Sequence, residues 1–130
     1  MAEFIILPAI AIGLILGILE LIFVHADESG MGWLGHGLHA IPIMFIFVFI
    51  SMNVTWALGL IGMTDSLWLS IGLRVLVGIV AMIKITSAAA IAGRVGEKKF
   101  HILILGALII AAPFAWDMFL GEMLTPYLPF

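Results

Sequence analysis

The chain has no cysteine, one tyrosine and only five lysines and arginines among 130 residues. Each shortage excludes something. Without cysteine there is no disulfide framework, no thiol nucleophile and no iron–sulfur cluster. Five basic residues against eight acidic ones, a formal charge of −3, leave no electrostatic footprint for a nucleic-acid partner. Charged residues make up 10% of the chain, far below the roughly 25% of ordinary soluble domains. The sequence also lacks a Gly-rich phosphate loop, a nucleophile–base pair and a carboxylate dyad at catalytic spacing, so it offers no recognisable catalytic constellation.

What fills the chain instead is apolar. Hydrophobic residues reach 65% and the mean hydropathy is +1.33. Four stretches, Phe4–Val24, Ile41–Met63, Leu67–Ala92 and Ile102–Gly121, exceed the ~17–20 residues needed to cross a bilayer. The reading is an all-α integral membrane protein, residues 1–130 forming a single transmembrane domain built as a four-helix bundle. The first run, followed by Val24-His25-Ala26, has the outline of a signal peptide. Its head carries no positive residue and its 21 residues exceed an h-region, so it is expected to be a retained span.

Punctuation between the runs is consistent with four helices. Pro42 suits the first turn of the second, where a missing N–H costs nothing. Asp65, in Thr64-Asp65-Ser66, is a natural N-cap for the third, and Gly93 is placed to end it. Pro8 and Pro113 fall inside the first and fourth, where they should kink the helix or free carbonyls for neighbours to bind. Gly13-x-x-x-Gly17 is a close-packing motif for membrane helices.

Three of the five basic residues, Arg94, Lys98 and Lys99, lie between the third and fourth runs. The positive-inside rule then places that loop in the cytoplasm and both termini outside, an N-out/C-out protein of the cell membrane crossing it several times.

The remaining polar residues are few and therefore informative. Arg74 and Lys84 interrupt the third run, and a central charge costs about 2.5–3.5 kcal/mol on lenient insertion scales. At ~1.5 Å per residue, Glu20 and Lys84 lie about 6 and 12 Å from one face, and Asp117 and Arg74 about 6 and 10 Å from the other. Two intramembrane charge pairs are expected, Glu20–Lys84 and Arg74–Asp117. Around the third helix, however, Lys84 lies about 80° from the stripe of small residues that carries Arg74, at 100° per residue. Ser51, Asn53 and Thr55 are polar at mid-membrane in the second helix. Ser51 and Thr55 share a face and Asn53 lies nearly opposite, so at least one set needs a partner on another helix.

All four histidines, His25, His36, His39 and His101, fall on the expected cytoplasmic side. With Asp27, the set His25, His36 and His39 has the donor chemistry for zinc or copper. These residues lie at helix ends and in a loop, which argues against a bis-histidine haem. Trp33, Leu34 and Leu38 give that loop an interfacial character.

Three functions are compatible with this inventory. The first is a non-catalytic structural or accessory subunit, packing in a homo-oligomer or a larger membrane complex. The second is a small ion or proton-coupled transporter or channel using Glu20, Arg74, Lys84 and Asp117. The third is a metal-binding membrane enzyme subunit using the histidine side.

Overall fold

The computed structural model describes residues 3–27, 32–63, 66–91 and 98–129, with the side chains at 88–91 excepted. Every regular element among them is helical: α1 (Leu7–Asp27), α2 (Trp33–Met52), α3 (Val54–Leu60), α4 (Leu67–Ile91) and α5 (Lys99–Ala115). A π-helical turn (Trp116–Leu120), α6 (Gly121–Leu124) and a 3-10 turn (Thr125–Tyr127) follow. Four of the helices are long and apolar enough to cross a membrane, the last running as Lys99–Tyr127 through the π turn. Exposed Leu14, Ile15, Ile18, Leu76, Ile79 and Ile83 give the bundle an apolar outside as well as an apolar core. A helix apolar all round belongs in lipid or in the centre of a large protein.

Two antiparallel hairpins make the bundle. α1 meets α2 where Gly13 lies against Phe45 and Gly17 against the backbone of Ile41, with Gly37 across from Leu21. A Cβ at Gly17 would sit 3.3 Å from the Ile41 Cα, so the small residues let these two backbones approach. α4 meets α5 where two glycines lie beneath side chains of the facing helix. A Cβ at Gly78 would lie 2.5 Å from the Ile110 side chain, and one at Gly106 would lie 2.5 Å from Met82. Between the hairpins, Ile12, Leu16, Met44, Val48, Ala81, Leu105 and Ile109 form the core.

Several boundaries differ from the hydropathy reading. α2 begins at Trp33, eight residues before Ile41, so Pro42 lies inside the helix and not in its first turn. The polar-looking Gly-His segment is helical because its buried side, His36 and Ala40, continues the stripe of Met44 and Val48. Hydropathy averages over the exposed and buried faces and misses such a turn. At the other end the run breaks at Asn53 (φ −106°, ψ 12°), and α3 starts afresh. Gly62, at φ 72°, ends α3: Met63 N–H donates to the Leu58 carbonyl and Gly62 N–H to that of Gly59. That pair of bonds is the Schellman ending, which needs a left-handed residue.

α1 starts at Leu7, not Phe4, which puts Pro8 in the first turn, where it disturbs nothing. At the start of α4 the Ser66 hydroxyl accepts the Leu69 N–H at 3.2 Å and acts as the cap. Thr64, Asp65, Gly93 and Arg94 lie outside the described residues.

Candidate functional site

The polar side chains gather at the two ends of the bundle, with the apolar core between them. At the end formed by Asn53, Arg74 and Asp117, the break in the second span is the organising feature. Asn53 reaches the N-terminal segment, its Oδ1 accepting the Ile5 N–H at 2.7 Å and its Nδ2 donating to the Ile5 carbonyl at 2.8 Å. Nδ2 also donates to the Phe49 carbonyl at 2.9 Å. Ser51, on the other side of the helix, donates to the Ile109 carbonyl at 2.7 Å. Pro113 is the reason that carbonyl needs a donor: four residues on, it has no N–H to give. Both sets of mid-span polar groups therefore find partners on other segments.

Arg74 completes this layer. Its side chain is buried, with Nε donating to the Ser51 carbonyl at 3.0 Å and Nη2 to Thr55 Oγ1 at 3.1 Å. Its guanidinium carbon stands 5.2 Å from the centroid of the Phe114 ring, a cation–π distance. Arg74 and Asp117 share the wall of a cavity of about 360 Å³ together with Glu3, Thr55, Trp56 and Trp116. Asp117 is exposed, and no ion pair joins it to Arg74 among the described contacts. It stands on the π turn, where Gly121 N–H bonds back to the Trp116 carbonyl. A Cβ at Gly121 would lie 2.9 Å from that oxygen, so glycine is what lets the wide turn close.

The second expected pair has a different outcome. Glu20 is buried on α1 and engaged, whereas Lys84 is exposed on α4 beside Val80 and Ile83. No described contact joins Lys84 to Glu20. Residue counts placed them about 6 and 12 Å from one face, but α1 packs against α2 and α5 rather than α4, and the angular offset of Lys84 turns it outward.

At the same end, two of the four histidines pair with each other, one pairs with Asp27 and one is exposed. His25 Nδ1 and His36 Nδ1 are 2.9 Å apart, with His25 stacked on Trp33 at 3.6 Å between centroids and His36 fully buried. Asp27 does not join them. Its Oδ2 meets His101 Nδ1 at 2.5 Å and accepts the Lys98 N–H at 3.0 Å, while His101 stacks on Phe23. A carboxylate there favours α5, because it faces the positive end of the helix dipole. His39 is exposed. Among the described residues no three metal-ligating side chains converge, so the set His25, Asp27, His36 and His39 is not assembled as a zinc or copper site.

Sequence reasoning missed Trp56, Trp116 and Glu3 as members of the Arg74 cavity, and His101 as the partner of Asp27. Only proline spacing carried an advance signal, since it marks the Ile109 carbonyl. No family model matches the chain, and no curated protein or solved structure is significantly similar to it.

Proposed function

We propose that this is a non-catalytic subunit of a membrane complex, crossing the cell membrane four times with both termini outside, and that it docks through α4 onto a different membrane protein. The observation that carries the reading is Lys84. The side chain is exposed on a helix whose neighbouring outward residues are Leu76, Ile79, Val80 and Ile83. A lysine left facing lipid is costly unless it is paired or reaches the interface. The described acids on that side of the bundle are already engaged: Glu20 is buried and partnered, and Asp27 holds His101. Among the described residues a second copy of the chain would bring only the same engaged acids, so we assign the complementary acid to another protein.

The arrangement of the other polar groups supports a packing role. Ser51, Asn53 and Arg74 bind backbone carbonyls of neighbouring segments, which fixes the bundle as a rigid surface. Site-specific photo-crosslinking in native membranes tests this. A probe at Val80 or Ile83 should give one discrete adduct that Lys84→Glu abolishes, and a probe at Leu14 should give none. A single adduct equal in mass to two copies of the chain, or adducts indifferent to Lys84, would refute it.

A further inference from the structure

Arg74 is held in a way that leaves it half used. Its side chain is 7% exposed, its plane is fixed by the Ser51 carbonyl and Thr55, and Phe114 stands 5.2 Å from it. These bonds occupy two of the five guanidinium N–H donors. The other three make no hydrogen bond among the described residues, and Arg74 forms part of the wall of the ~360 Å³ cavity. A planar fork held at fixed orientation suits the paired oxygens of a carboxylate or phosphate.

The opposing walls change which oxyanion fits. Asp117 and Glu3 both line the cavity and both are exposed, so they stand toward its open side. Two carboxylates against one guanidinium repel a simple anion, while the buried Arg74 repels a simple cation. Trp56 and Trp116 line the cavity too, beside the apolar Ile5, Met52 and Pro113, and indole faces attract ammonium groups. The π turn that carries Trp116 and Asp117 is the kind of helix irregularity often found at functional sites.

We infer that the cavity binds a small zwitterion, with an oxyanion on Arg74 and an ammonium group among Asp117, Glu3 and the two tryptophans. About 360 Å³ is within the usual 300–1,000 Å³ of small-ligand sites. Arg74 stands seven residues into α4, about 10 Å from its start. At that depth the ligand is either the headgroup of a zwitterionic phospholipid or a soluble zwitterion entering from water. The chemistry is the same for both, and it is independent of what docks on α4.

The test is binding to the purified full chain in neutral detergent, by native mass spectrometry and thermal unfolding. The probes are phosphatidylethanolamine, phosphatidylglycerol and glycerophosphoethanolamine. Phosphatidylethanolamine or glycerophosphoethanolamine should bind at least about tenfold more tightly than phosphatidylglycerol. If the lipid alone binds, the headgroup is the ligand; if the soluble compound binds as well as the lipid, the ligand is a soluble zwitterion. Asp117→Asn, at an exposed position, should keep the fold and cut the preference to within about twofold, partly by admitting phosphatidylglycerol. Arg74→Lys should weaken every probe by losing the fork. Equal binding of phosphatidylglycerol, a preference unchanged in both Asp117→Asn and Glu3→Gln, or no binding of any probe to wild type would overturn the inference.

Discussion

The Ser51 hydroxyl donates at 2.7 Å to the carbonyl of Ile109, the group that Pro113 leaves without its helical N–H. One residue breaks a bond within α5 and another, 58 positions earlier in sequence than that carbonyl, replaces it from α2. In lipid no water can take that place, so the two residues act as one unit.

Ser51→Ala should therefore destabilise the bundle by about 0.6–1.7 kcal/mol, the range of interhelical hydrogen bonds in membranes. In a Pro113→Ala background the helix regains its own donor, and the same change should cost much less. Unfolding in mixed micelles, run as a double-mutant cycle, measures this coupling. Equal losses in both backgrounds would show that Ser51 does not serve the freed carbonyl.

Asn53→Asp keeps the acceptor for the Ile5 N–H and removes both Nδ2 bonds, to the Ile5 and Phe49 carbonyls. We expect a loss of about 1–3 kcal/mol, as for buried groups left without partners. With the Ile5 carbonyl released, the segment is held by one bond instead of two, and the Ile5 amide proton should exchange faster before any change is seen in α4. Unaltered exchange at the N-terminal segment would contradict the clamp.

Two glycines on one helix should behave oppositely. A methyl group at Gly78 runs into Ile110, whereas one at Gly72 meets nothing within 4 Å. Gly78→Ala should cost about 1–3 kcal/mol through overpacking, and Gly72→Ala should be neutral or stabilising by helix propensity. Thermal unfolding of the two variants side by side decides it.

Topology can be tested directly because the chain has no native cysteine. Cysteines placed singly at Glu3 and Lys98 should label from opposite sides of the membrane, Glu3 from outside. Labelling of both from one side would remove the N-out/C-out orientation.

The four long apolar helices were legible because apolar runs of sufficient length need no tertiary information. The need for partners at Ser51, Thr55 and Asn53 was legible too, since polar groups in hydrocarbon demand satisfaction. The start of α2 was not, because His36 counts as polar in any window average although its ring is buried. Lys84 teaches a sharper lesson. Depth can be read from residue counts, but two residues meet only if their helices turn those faces together, and the 80° offset from the Arg74 stripe outweighed the match in depth. The Arg74 cavity was illegible for a different reason. Its walls come from the N-terminal segment, α2, α3, α4, α5 and the π turn, and no local pattern announces that convergence.

The bond between Asp27 and the backbone of Lys98 joins positions 71 residues apart. At about 5–20 residues per second of synthesis, α1 is complete roughly 4–14 s before its carboxylate can meet the start of α5. Throughout that interval the acid must stay at the water-facing edge of the membrane, which holds α1 from sliding deeper. α5 thus finds its docking position already marked by α1, and the ring of helices can close only after that meeting.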